Sequence, residues 1–252
     1  MTLAACADLV RRGDPDRFRA AMAAPVEARA RLFPLYAFNL EVARAPWASS
    51  DPTVAKMRLQ FWRDVLVEID EGEPARAHEV AKPLAEVMHA AGLPGAMLDA
   101  LVVARWADVD CDPLGTADVL DAYLAETGGT LMWASAQALG AQYKREPAVR
   151  AVGKAAGLAA MLVAAPELGR RGWQVLPDEG LDGLIAAARA DLAEARRIDF
   201  KLSIPALRAA WRADGILATA AADPAAIREG RLEGSEFARR ASLGWKGLTG
   251  RW

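Results

Sequence analysis

Apolar residues in this chain recur three and four positions apart through most of its length, and no run alternates apolar with polar in the manner of a half-buried strand. That periodicity predicts an all-α fold. The clearest helix opens with Ser50-Asp51-Pro52, an N-cap followed by a proline suited to a first turn, and runs through about Ile69 before Glu71-Gly72-Glu73-Pro74. Val54, Met57, Phe61 and Val65 form one apolar line along it, and Leu59, Trp62, Leu66 and Ile69 form a second. A helix apolar on two faces is expected at the centre of a bundle.

Further helices are predicted near Leu3 to Arg11, Pro15 to Ala23, Val26 to Ala45, Ala75 to Ala91, Pro94 to Ala107, Ala117 to Leu139, Pro147 to Ala165, Leu181 to Ile198 and Pro205 to Ala221. Their connections are short. Turn signals at Gly92-Leu93-Pro94, Cys111-Asp112-Pro113-Leu114-Gly115 and Asp223-Pro224 leave no stretch that reads as a linker, so residues 1–252 are taken as one domain.

A chain of 252 residues with 53% apolar and 25% charged side chains has enough apolar material for a sizeable core. A net charge of −2 and a pI near 5.8 exclude the basic footprint of a nucleic-acid-binding protein. Cys6 and Cys111 stand far apart, without a CxxC pair or a histidine at ligand spacing, so reduced thiols are expected in place of a zinc site or a disulfide. The longest uncharged apolar stretch, Ala155 to Pro166, falls short of the roughly 18 to 20 residues that cross a bilayer. Met1-Thr2-Leu3-Ala4-Ala5-Cys6 lacks the basic and apolar regions of a secretory signal. The expectation is a cytoplasmic protein, with attachment to the periphery of the inner membrane as the variant.

Three stretches carry a family resemblance: Leu35-Tyr36-Ala37-Phe38, Arg58-Leu59-Gln60-Phe61-Trp62-Arg63-Asp64 and Gly169-Arg170-Arg171-Gly172-Trp173-Gln174-Val175-Leu176-Pro177. They resemble, in order, the YAF-type helix, the LxxWRxxL-type segment and the ARRGRxYLP-type stretch of the squalene and phytoene synthase family. Tyr123 followed by Glu126-Thr127-Gly128-Gly129-Thr130 is similar to that family's YxxxVAGxVG segment, where small residues let two helices approach. The clearest resemblance covers residues 33–177. It implies a helical bundle of the isoprenoid synthase type with a central apolar cavity.

In that family two aspartate-rich motifs on facing helices hold magnesium, which neutralises the diphosphate leaving a prenyl chain. Here both motifs are stripped. Counting from Tyr36, the aspartates of the first fall on Ala43, Arg44 and Trp47; counting back from Arg170, the second falls on Gly157 to Leu168, where Ala164 and Leu168 replace aspartates and only Glu167 is acidic. The resemblance therefore implies a pseudoenzyme with neither metal nor cofactor. Residues carried over as candidates for a cavity or an anion site are Tyr36, Phe38, Arg44, Arg58, Trp62, Arg63, Tyr123, Glu167, Arg170 and Arg171. Arg44, Arg63 and either Arg170 or Arg171 are read as meeting an anionic headgroup without metal.

Other candidates have ordinary readings. Asp108 and Asp112 read as a solvated polar turn, Asp64 and Glu68 as a solvated helix edge, and His78 and His89 as surface helix residues. Trp62 and Trp106 are the tryptophans expected to wall any cavity, whereas Trp245 and Trp252, beside Lys246 and Arg251, read as a frayed end or a membrane contact. The wording from Ala37 to Arg44 and from Arg58 to Asp64 is similar to a divergent branch of the family that includes a mitochondrial assembly factor for respiratory complex I. That likeness implies a noncatalytic protein assisting assembly or stability of a respiratory membrane complex, with complex subunits, a membrane surface and an isoprenoid or lipid as partners. The alternative is an active magnesium-dependent prenyl transferase joining two prenyl diphosphates in terpenoid biosynthesis.

Overall fold

The computed structural model describes residues 2–49, 51–234, 243–244, 249 and 252. Among them there is no strand, and the helices follow the apolar periodicity. The first half comprises α1 (Leu3–Gly13), α2 (Pro15–Met22), α3 (Val26–Arg44), α4 (Pro52–Asp70), α5 (Ala81–Ala91), α6 (Gly95–Ala104) and α7 (Trp106–Asp110). Then come α8 (Ala117–Leu124), α9 (Thr130–Ala138), α10 (Glu146–Arg170), α11 (Leu181–Ala195), α12 (Ile204–Leu207), α13 (Ala213–Ala222) and α14 (Ala225–Arg228).

Local chemistry sets the helix ends. Asp14 caps α2 by accepting the Arg17 amide at 2.9 Å, and Asp51 caps α4 by accepting the Thr53 amide at 2.8 Å. Ser50, the other residue of the predicted cap, lies outside the described residues. The carboxylate of Asp70, the last residue of α4, accepts the Gly95 amide at the start of α6 at 2.9 Å through each oxygen. An anion on a helix N-terminus complements its dipole, and this one ties α4 to α6.

The centre of the bundle is α3 and not α4. Every residue from Leu32 to Leu40 is buried, since that run carries no charge and its neighbours α1, α5 and α9 cover it from different sides. On α4 only the line of Leu59, Trp62, Leu66 and Ile69 is buried along its whole length. The other line begins in solvent, with Met57 67% exposed, and reaches the core only at Val65. Trp62 packs edge-on against Phe38 of α3 at 5.3 Å between ring centroids.

Four further expectations are corrected. The helix predicted from Ala75 begins at Ala81; residues before it form a loop that Arg76 holds down by pairing with Glu68 at 2.6 Å. His78 belongs to this loop, half-buried with its ring 5.0 Å from Trp62, so it is not a surface helix residue, whereas His89 is exposed on α5 with its Nε2 3.0 Å from the Ile69 carbonyl. The helix predicted from Ala117 to Leu139 is broken by a π-helical turn at Ala125–Gly129. The continuous helical stretch over 143–170 is also long and apolar enough to cross a membrane by length and composition, unlike the shorter window read from sequence. It is the hub of the bundle, packed against the π turn, α9, α11 and α13, with 44% of its most apolar window buried there.

The π turn and α10 meet backbone to backbone. A Cβ built on Gly153 would lie 2.4 Å from the Gly128 carbonyl oxygen and 2.6 Å from the Met132 Cβ, too close for any side chain. Replacing Gly153 by valine is expected to cost about 3 kcal/mol by overpacking and to lower the thermal midpoint by roughly 10 °C. Gly169→Ala, at a site on the same helix with open space around it, should be neutral or stabilising in the same melting experiment.

Candidate functional site

α2, α3, the π turn, α9, α10 and the 208–213 segment enclose a cleft of about 400 Å³, within the range of small-molecule sites. Its apolar wall includes Leu131 and Met132 of α9, Met161 and Leu168 of α10, and Ile216. Trp47, Trp173 and Trp211 are its tryptophans, in place of the expected Trp62 and Trp106.

At one end three side chains form a closed triad. The Tyr123 hydroxyl donates to Asp108 at 2.8 Å, and Arg105 donates to the other Asp108 oxygen at 3.0 Å and to the Tyr123 oxygen at 2.8 Å. Asp108 is only 2% exposed, which corrects its reading as a solvated turn acid. Burial pushes its carboxyl above the ordinary aspartate value, while Arg105 and Tyr123 pull it part of the way back. Burial likewise raises the Tyr123 phenol, and Arg105 is held protonated by the charges facing it. One donor is left over: the buried Nε of Arg105 has no partner among the described residues.

At the other end Asp14 pairs with Arg17 at 3.4 Å, and Asp16 pairs with Arg212, which also reaches Glu233 at 3.2 Å. Arg17 stacks over the Tyr36 ring at 5.3 Å. Every charged side chain lining the cleft thus faces an opposite charge.

The expected site residues divide into three groups. Tyr36, Trp47, Tyr123, Ala164 and Leu168 line the cleft, and Ala43 is half-buried nearby on α3. Phe38 and Trp62 are core beneath it. Arg44, Arg58 and Arg63 are not brought to the cleft: Arg44 lies against Gly13 at the end of α1, Arg58 is exposed, and Arg63 grips Asp99 of α6 at 2.7 Å. A combined anion site of Arg44 and Arg63 with Arg170 or Arg171 is therefore not formed. Glu167 is held below the usual carboxylate range by Arg171 and Arg170, at 2.8 and 2.5 Å, and Arg171 also stacks over Trp47 at 5.5 Å.

Sequence reading missed Arg105, Asp108 and Asn39. Arg105 and Asp108 stand at the i, i+3 spacing of a helical ion pair, and Asn39 is the lone amide in the uncharged run of α3.

The family model for squalene/phytoene synthase matches residues 10–232. The chain belongs to that family. Its fold agrees: a crystal structure of a dehydrosqualene synthase in complex with ligand superposes with a TM-score of 0.81 at 16% identity, over 98% of this chain and 95% of that one. Squalene synthase HpnC from Alicyclobacillus acidocaldarius gives 0.72 at 18% identity, over 90% and 94%. In sequence, the chain is similar to complex I assembly factor 6 of Homo sapiens and Bos taurus, 28% identical over 173 residues, covering 68% of this chain and 52% of each relative. The Drosophila melanogaster homolog is 30% identical over 182 residues, covering 70% and 54%. The chain spans about half the length of these curated relatives.

The family implies magnesium, and the donors present do not fit it. The positions counted from sequence as the motif aspartates hold Ala43, Arg44, Trp47, Ala164 and Leu168; Glu167 is engaged by two arginines; and each of the three carboxylates lining the cleft is paired with an arginine. Among the described residues no three His, Cys, Asp or Glu side chains converge. Magnesium would have to displace an arginine from one of these pairs.

Truncating Asp108 to alanine leaves Arg105 buried without its counter-charge and should cost about 3–5 kcal/mol in urea unfolding, against a smaller loss for Asp108→Asn. A cost below about 1 kcal/mol for the alanine would show the triad to be dispensable. A second outcome concerns Tyr36, whose phenol is pushed up by burial to about 12 from 10.0. The unfolded chain gives up that proton near pH 10 and the folded chain holds it, so stability is intact below that pH and falls as pH rises toward 12. By pH 11 the loss from Tyr36 is about 1 kcal/mol, and Tyr36→Phe should recover it in denaturation measured at pH 8 and pH 11.

Proposed function

We propose that this chain is a noncatalytic member of its family that assists assembly of a respiratory membrane complex of the complex I type, keeping the ancestral cleft as a lipid site. The observation that carries the reading is the pairing of each carboxylate lining the cleft with an arginine, in a site where the family's chemistry requires free carboxylates. A site whose acids are all engaged by arginine has no hard ligands to offer magnesium, and an unassisted diphosphate is a poor leaving group. The likeness to complex I assembly factor 6, in human, bovine and fly proteins, supplies the role.

Association with a membrane belongs to the same reading. An assembly factor for a membrane complex works at the bilayer surface, and apolar side chains exposed near the start of α4, Val54 and Met57, are available there. The bundle around α10 uses it as a packing hub, which supports a core helix over an inserted one.

Deleting the gene and assaying complex I activity beside terpenoid content separates assembly from catalysis. The expected result is reduced assembled complex I with terpenoids unchanged. Lost terpenoids with complex I intact would establish a prenyl transferase instead.

A further inference from the structure

Reading the cleft as a lipid site leaves the head of the lipid open, and three side chains on α3 and α9 narrow it. Asn39 is only 7% exposed and lines the cleft. An amide offers two donors and an acceptor oxygen to whatever enters the cleft. Tyr36 stands one turn earlier on the same face of α3 and also lines the cleft. Ser135 of α9 lies beside the Tyr36 hydroxyl, fully buried, and its Oγ makes no well-aligned hydrogen bond.

These three groups are uncharged, and burial keeps the Tyr36 phenol protonated at neutral pH. The charges elsewhere in the cleft are spent on one another: Arg17 on Asp14, Arg212 on Asp16, Arg105 on Asp108. An anionic head that took Arg105 would leave the buried Asp108 carboxylate without its counter-charge, which is costly. A hydroxyl or carbonyl head asks for no such exchange. It can accept from Asn39 or Ser135 while its chain lies along Leu131, Met132, Met161 and Leu168.

We infer that the cleft takes an uncharged lipid, an isoprenoid or acyl chain ending in a hydroxyl or carbonyl oxygen, with Asn39, Tyr36 and Ser135 as the head-binding groups, and that it discriminates against prenyl diphosphates. This rests on the reading of the cleft as a lipid site. The site is polar at Asn39 and apolar beyond it, which is the profile of a single-oxygen head on a long chain.

The test is intrinsic fluorescence of the purified full chain, reported by Trp47, Trp173 and Trp211 in the cleft wall, during titration with farnesol and with farnesyl diphosphate, each with and without magnesium. Farnesol is expected to saturate, to bind at least about tenfold tighter than the diphosphate, and to ignore magnesium. Asn39→Leu should weaken farnesol by about five- to tenfold while leaving the parent hydrocarbon farnesene unchanged, and Ser135→Ala, a smaller change that serves if the first variant does not fold, should weaken it by about threefold. Equal or tighter binding of the diphosphate, strengthening by magnesium, or unchanged farnesol affinity in a folded variant overturns the inference. Absence of farnesol binding, with complex I still lost on gene deletion, overturns this inference and leaves the assembly role standing. Tight magnesium-dependent diphosphate binding with lost terpenoids on deletion overturns both.

Discussion

The approach of Gly128 to Gly153 determines the shape of everything around the cleft. Neither position has room for a Cβ, so the π turn and α10 lie with their backbones in contact, and α10 in turn carries α11 and α13. The π turn itself follows from the same demand: one extra residue in the 125–129 turn lets the chain move from α8 into α9 while presenting Gly128 and Gly129 to α10. Hung from that contact, Leu131 and Met132 on one side and Met161 and Leu168 on the other become opposite walls of one space.

Charge then decides what that space can do. A family that ionises diphosphates needs carboxylates free to take magnesium, and this chain has arranged its carboxylates otherwise. The aspartate positions of both motifs carry side chains that cannot ligate a hard cation, while Asp14, Asp16 and Asp108, which do line the cleft, each meet a guanidinium. The result is a balanced interior whose unsatisfied buried groups are the Ser135 hydroxyl and the Nε of Arg105, the latter on a cation already paired with Asp108. The fold of the synthases is retained, with each carboxylate lining the cleft paired with arginine.

Much of the fold was legible because helices with long apolar stripes are local objects. The limits of α1, α2, α3 and α4 follow from caps, prolines and three-and-four spacing to within a few residues. What was not legible depended on partners distant in sequence. Asp108 reads as a turn acid until Tyr123 arrives from α8, 15 positions on, to bury it. The line of Val54, Met57 and Phe61 has the same apolarity as its neighbour, and only the packing of α4 against α6 decides which line faces inward. Arg63 stands in a motif that suggested anion binding, and Asp99 of α6 claims it first.

The proposal as a whole requires that a synthase scaffold has lost metal-dependent diphosphate chemistry, its motif aspartates replaced and its remaining cleft carboxylates engaged by arginine. The most direct measurement is release of inorganic diphosphate from farnesyl diphosphate across a magnesium titration, beside an active dehydrosqualene synthase as the working control. No release above the enzyme-free rate at any magnesium concentration is the predicted result, and saturable, magnesium-dependent release by this chain would contradict it.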